Sequence, residues 1–301
     1  MHPFELIRPG VAAPPTEAVV LAAPASRRAT FGEYLLDPPL AFAVNTALHL
    51  GRPLLITGEP GTGKTALAWG VARRLGAGDV LEFHARSTSV ARDLLYSVDS
   101  IRRFADASVN DENARNAAAY LRFEALGEAI RSPATRVVLV DEIDKAPRDF
   151  PNDLLNELDR MEFTVPELAG TRFAATARHL VVITSNSERR LPPAFLRRCV
   201  YHHIPFPDQD SLRRIVGLHT SDIALSPGFL ELALIRFLKI RALPDLLKVP
   251  ATDELIAWTR VLIAAGTTEA ALAACTRPGD LPALGVLLKH GDDLARVRAE
   301  D

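Results

Sequence analysis

The eight residues "GEPGTGKT" (58–65), directly after the apolar run "RPLLIT", constrain the fold more than any other stretch of this chain. They fit G-x-x-x-x-G-K-T, with Gly58, Gly63, Lys64 and Thr65 at the fixed positions. The loop Gly58, Glu59, Pro60, Gly61, Thr62, Gly63 can wrap phosphate, because its glycines let backbone N–H groups turn inward around phosphate oxygens. Lys64 would then reach the outer phosphates, and the Thr65 hydroxyl would ligate Mg²⁺. The flanks agree. "PLLIT" (53–57) reads as a short buried strand, and "TALAWGVARRL" (65–75) as a helix with Leu67, Ala68, Val71, Ala72 and Leu75 at helical spacing. Strand, loop and helix in that order put the phosphate at a helix N-terminus.

The rest of the chain extends this unit into a parallel sheet. Residues 1–30 are rich in Ala and Pro and read as a loosely ordered arm. A helix is expected from about Pro38–Pro39 to Gly51. "DVLEFHA" (79–85), "RVVLV" (136–140) and "HLVVITSN" (179–186) read as further strands, the second continuously apolar, as expected for a strand buried on both faces. The 86–132 segment reads as a long, largely helical insertion. "PNDLLNELDRM" (151–161) reads as one helix, and "EFTVPELAGTRFAAT" (162–176) as a hairpin. After "IPFP" only helices are expected. Asp208 caps one, Ser226 with Pro227 opens another, and "TDELIAWTRVLIAAG" (252–266) forms a third. Alternating strands and helices followed by helices alone predict an α/β domain over 31–207 and a helical domain over 208–301.

The third strand runs into "DEIDKAP". Asp141 would stand at its carboxyl end, where ligands of parallel sheets collect, and could hold Mg²⁺ through water. Glu142 could polarise an attacking water as general base. Asp144 and Lys145 follow in the same turn and read equally as a surface acid and base. Asn186 ends the fourth strand, where its amide could orient water against a γ-phosphate or simply cap the next turn. Arg189, Arg190, Arg197 and Arg198 fall within ten residues. They form either a solvated basic face or a source of charge for a neighbouring subunit's phosphate.

Composition excludes several classes. The formal net charge of −2 gives no overall field for nucleic acid, which is not an expected partner. Cys199 and Cys275 make neither a metal spacing nor a disulfide framework. No apolar run approaches the ~18–20 residues of a membrane helix. The start lacks a basic segment followed by an apolar core, so no leader is expected and the cytoplasm is the default compartment. No guanine-reading N-K-x-D occurs in the chain. A small-molecule kinase would have to keep water from the γ-phosphate, whereas Glu142 is placed to activate it.

"GEPGTGKT", "VVLVDEIDKA", "VVITSN" and "LPPAFLRRC" occur in the order and at the spacings of the AAA+ ATPases, and from about residue 30 onward the chain resembles the MoxR branch. That resemblance implies a P-loop core with a smaller helical lid, ATP and Mg²⁺ as ligands, and an oligomeric, hexameric ring. It assigns Lys64 and Thr65 to Walker A, Asp141 and Glu142 to Walker B, and Asn186 to sensor 1. The family's "LPxAxLxRF" box falls on 191–199, which makes Arg198 the arginine finger and puts Cys199 where an aromatic is usual. The 86–132 insert and the following hairpin resemble features MoxR-like proteins display around the ring axis. The sensor-2 arginine has no counterpart: the matching positions hold Thr252 and Asp253, with Lys248 the nearest cation. An acid facing phosphate is unfavourable, so Asp253 is expected to cap its helix. Tyr34 and Leu35 lie where the family holds adenine, or they belong to the core. The implied activity is ATP hydrolysis driving remodelling or chaperoning of protein partners, among them von Willebrand factor A domain proteins. The alternative is an ATP-gated switch with little turnover.

Overall fold

The structure, a computed structural model, describes residues 34–108, 116–186 and 188–299. The arm expected over 1–30 lies outside the described residues. The chain divides into two compact units, the first ending at Phe206 and the second starting at Pro207.

In the first unit, α1 (Pro38–Leu50) starts where Asp37 accepts the Leu40 N–H at 2.8 Å and stops at Gly51 in a left-handed conformation. β1 (Leu54–Gly58) leads through the glycine loop into α2 (Lys64–Leu75) and then β2 (Leu81–His84). Leu75, assigned to the apolar stripe, is instead exposed at the end of its helix. The 86–132 segment, expected to be largely helical, also carries a pair of short strands. It contains β3 (Tyr96–Val98), α3 (Ser100–Ser108), β4 (Leu121–Phe123) and α4 (Ala125–Arg131), with β3 and β4 paired antiparallel. Three-residue strands are too short to show a period of two against helical neighbours.

β5 (Val137–Asp141) is followed by α5 (Phe150–Asp153) and α6 (Leu155–Arg160), so the single helix expected over 151–161 is broken at Leu154. β6 (Glu162–Val165) and β7 (Thr171–Ala174) form the expected hairpin. β8 (Leu180–Ser185), α7 (Pro193–Leu196) and β9 (Val200–Ile204) complete the unit. β9 was not expected, since "VYHHI" follows the arginine-rich stretch whose plain reading is a solvated basic face. It pairs in parallel with β1 from Leu54↔Val200 to Gly58↔Ile204, with Ile204 buried and Tyr201 and His203 exposed. The sheet order is β2-β5-β8-β1-β9, and each of its pairings is parallel.

Strand alternation fills both faces of this sheet. Leu54, Ile56, Leu139 and Val182 pack with α1 and α2, while Leu55, Val140, Val181 and Ile183 pack with α4, α5, α6 and Phe195. Full burial of each such aliphatic side chain contributes about 1.5–3 kcal/mol, so register is held tightly. A helix layer on each face leaves the carboxyl ends of β1, β5 and β8 to carry functional side chains. To one side, Phe123, Phe163 and Phe173 stack within 5.2–6.2 Å of one another, with the Arg131 guanidinium 3.9 Å over Phe123. The insert and the β6–β7 hairpin are thereby one packed body.

The second unit is helical: α8 (Gln209–His219), α9 (Pro227–Arg241), α10 (Thr252–Ala264), α11 (Glu269–Ala274), α12 (Leu284–Leu287) and α13 (Gly291–Ala299). Asp208 accepts the Ser211 N–H at 2.8 Å, and Ser226 accepts that of Phe229 at 3.1 Å, the two caps expected. Phe237 and Trp258 anchor its core, and the Trp258 indole donates to Pro282 O at 2.8 Å.

Candidate functional site

At the end of β1 the backbone leaves no room for side chains. A Cβ on Gly58 would lie 2.6 Å from Ile204 O and 2.9 Å from Thr62 Oγ1. Gly63 takes φ 86° and caps α2 with no side chain, so the first N–H groups of that helix are left to a ligand rather than an internal cap. Within the loop, the Thr62 hydroxyl donates to Glu59 O at 2.9 Å and braces the turn around Pro60 and Gly61. This cradle fits a phosphate chain.

Lys64 is only 7% exposed, and its ammonium donates to Gly58 O at 2.8 Å and Glu59 O at 2.9 Å. Burial pulls its pKa below the usual lysine range, while the charges of Asp141, Asp144, Glu142 and Glu59 oppose that shift. A cation buried against backbone carbonyls and acids is poised to exchange those partners for phosphate oxygens.

Thr65 and Asp141 come together as the motifs required. The Thr65 hydroxyl donates to Asp141 Oδ1 at 3.0 Å, in a polar spot where a hydroxyl and a carboxylate could share a hard cation. Such donors fit Mg²⁺. Glu142 stands next, with φ 55° and ψ 51°, a left-handed conformation that non-glycine residues adopt at a cost of about 1–3 kcal/mol. Its N–H donates to Thr184 Oγ1 at 2.9 Å. Its carboxylate accepts from Asn186 Nδ2 at 3.2 Å and from Lys145 Nζ at 2.5 Å. The Glu142 pairing holds the Lys145 ammonium above its usual pKa.

Asp144 is not the surface acid allowed for above. It is 3% exposed and accepts the N–H groups of Asn186 at 3.3 Å and Glu188 at 3.0 Å, tying the β5 turn to the end of β8. Two residues were missed altogether. Thr184, within the otherwise apolar "LVVIT", donates to Asp141 Oδ1 at 2.6 Å. His84, opposite Asp141 across the β2–β5 pairing, brings Nδ1 to 3.5 Å from Asp141 Oδ2. A lone hydroxyl in an apolar strand was the available signal for the first; the second follows only from register.

Other expected residues lie apart from this cluster. Arg198 is exposed, with Nε donating to Asp159 Oδ2 at 2.6 Å and a second bond to Ala194 O at 3.2 Å. Arg189, Arg190 and Arg197 are exposed too. Burial pushes the Cys199 thiol pKa up to about 12, so it is inert as a nucleophile. The Tyr34 ring lies against Gly63 and packs on the α1–α2 face of the sheet, with burial raising its hydroxyl pKa, while Leu35 is exposed. In the second unit, Asp253 does not cap α10. Ala251 holds the cap position, and Glu254 accepts its N–H at 3.1 Å while also pairing with Lys248 at 2.9 Å.

Residues 53–199 match the family described as AAA domain (dynein-related subfamily). Among curated proteins, the chain is 27% identical over 199 residues to an ATP-dependent zinc metalloprotease FtsH of Nitrosococcus oceani. That match covers 64% of this chain and 27% of the relative. It is 31% identical over 176 residues to CD-NTase-associated protein 6 of Pseudomonas aeruginosa, covering 57% of this chain and 54% of the relative. Both matches thus span only part of longer relatives. Among solved structures, the AAA domain of FIGL-1 in complex with ADP aligns over 82% of this chain and 70% of its own, at 18% identity and TM-score 0.41.

Proposed function

We propose that this chain, whose residues 53–199 match the AAA domain (dynein-related subfamily) model, hydrolyses ATP with Mg²⁺ at the carboxyl ends of β1, β5 and β8. One observation carries the reading: Thr65, Asp141, Glu142 and Asn186 converge in a single hydrogen-bonded cluster beside the loop that holds Lys64. In the step we infer, Glu142 takes a proton from water as the water oxygen bonds to the γ-phosphorus. The bond from that phosphorus to the β,γ-bridging oxygen breaks, and its electron pair leaves with ADP. Lys64 and the loop N–H groups hold the phosphates, Thr65 and Asp141 hold the metal, and Asn186 orients Glu142 and the water. Bound Mg²⁺ supplies charge neutralisation on the phosphates.

The finer reading is of MoxR type: a homo-oligomer, most simply a hexameric ring, in which Arg198 of one subunit serves the site of the next. Its work would be remodelling protein partners, von Willebrand factor A domain proteins among them. The relatives add context by name only. The match spans about a quarter of the metalloprotease relative, so the activity in that relative's name is not carried over to this chain. Among the described residues no helix is long and apolar enough to cross a membrane.

The test is phosphate release from Mg·ATP, measured per subunit across chain concentrations. A steep climb with concentration is expected for a shared site. Substantial, flat activity down to monomeric concentrations would remove the ring, and none at any concentration would favour the switch.

A further inference from the structure

Thr184 is 0% exposed, near the carboxyl end of β8, after the aliphatic run Leu180–Ile183. A hydroxyl placed there must find partners, and this one finds two on consecutive residues. It donates to Asp141 Oδ1 at 2.6 Å and accepts the Glu142 N–H at 2.9 Å. The direction of both bonds is fixed by chemistry. A backbone N–H can only donate, so the single hydroxyl hydrogen is committed to the Asp141 carboxylate. That carboxylate oxygen also receives the Thr65 hydroxyl.

The second bond bears on backbone strain. Glu142 sits at φ 55°, a conformation that persists for a non-glycine residue only where its surroundings over-determine it. The peptide N–H of that residue is held by Thr184, while Asn186 and Lys145 hold its side chain. One buried hydroxyl therefore sets the carboxylate oxygen nearest Thr65 and the backbone that aims the adjacent acid.

We propose that Thr184 is a positioning residue for hydrolysis, orienting Asp141 toward the metal and fixing the strained turn that presents Glu142. The inference rests on the ATPase reading above, and it assigns Thr184 no contact with nucleotide.

The experiment compares Thr184→Val, Thr184→Ser and Glu142→Gln with the wild-type chain. It measures kcat, KM, the Mg²⁺ concentration for half-maximal turnover, the affinity for a fluorescent ATP analogue with and without Mg²⁺, and thermal stability. Valine keeps the shape and removes both bonds; serine keeps the hydroxyl. Because bonds to charged groups are the strong ones, Thr184→Val should lower kcat about ten- to a hundredfold. Affinity without Mg²⁺ should stay within about threefold, while the gain in affinity on adding Mg²⁺ shrinks and the half-maximal Mg²⁺ rises. Thr184→Ser should recover kcat to within about threefold of wild type.

Wild-type kcat in Thr184→Val overturns the proposal. So does a Thr184→Ser variant as impaired as the valine, or a loss that tracks thermal stability and Mg²⁺-free affinity instead of kcat. If Glu142→Gln leaves turnover intact, the general-base role of Glu142 fails first. The Mg²⁺-dependent binding then still decides the Asp141 half: an unchanged gain in Thr184→Val overturns it as well.

Discussion

Asn186 Nδ2 donates to Glu142 Oε1 over 3.2 Å, joining the ends of β8 and β5 through side chains that sequence places 44 residues apart. The opposite carboxylate oxygen meets Lys145 at 2.5 Å. Glu142 is thus held on both sides.

Lys145 occupies a carboxylate oxygen that the proposed base needs for water. The pair is half-exposed, and such pairs contribute no more than about 1 kcal/mol. Lys145→Met should therefore raise basal turnover modestly, about two- to fivefold, with ATP affinity unchanged. Steady-state kinetics checks this. A fall in turnover would make Lys145 a support for Glu142 instead of a restraint on it.

Arg198 is bound within its own subunit to Asp159 and stays exposed on the surface. If it serves a neighbouring site, Arg198→Ala keeps ATP affinity and loses about 10³–10⁵ in turnover. Adding the variant to a hydrolysis-dead Lys64→Ala chain should restore part of the activity in mixed assemblies, because each supplies what the other lacks. Unchanged turnover would move the role to Arg197 or remove it.

His179 is 7% exposed at the start of β8. Its Nδ1 accepts the Arg136 N–H at 3.2 Å, and Nε2 is buried without a partner. Burial, aided by the Arg136 charge, lowers its pKa below the ordinary value. A depressed histidine pKa means that the unfolded chain binds the proton first. The stability it contributes is complete above about pH 6.5 and is lost as pH falls through the folded-state value. Thermal melts between pH 7.5 and 5.5 should show a smaller fall for His179→Gln than for wild type. Equal falls would clear His179 of the effect.

The glycine loop and its sheet were legible because each signal is local. Continuous apolar runs such as "VVLV" and "LVVIT" declare buried parallel strands, and the loop has a fixed spelling. The fifth strand was hidden because β9 is not a continuous apolar run: Tyr201 and His203 are exposed and only Ile204 is fully buried. Asp144 looked like a surface charge because its partners, the N–H groups of Asn186 and Glu188, come from another strand end. Thr184 was passed over for the same reason: its partners are decided by sheet register. The Asp253 cap failed over a single residue, with Glu254 one step on reaching back to Ala251. Local chemistry was readable, and pairings across the sheet were not.

The central claim is that Glu142 activates water in a chain that binds ATP through Lys64. Its most direct test is Glu142→Gln, measured for ATP affinity and for phosphate release under single-turnover conditions. The account predicts affinity near that of wild type and hydrolysis slowed by about a hundredfold or more, since a positioned general base contributes about 10²–10⁴. Wild-type hydrolysis in Glu142→Gln would contradict it.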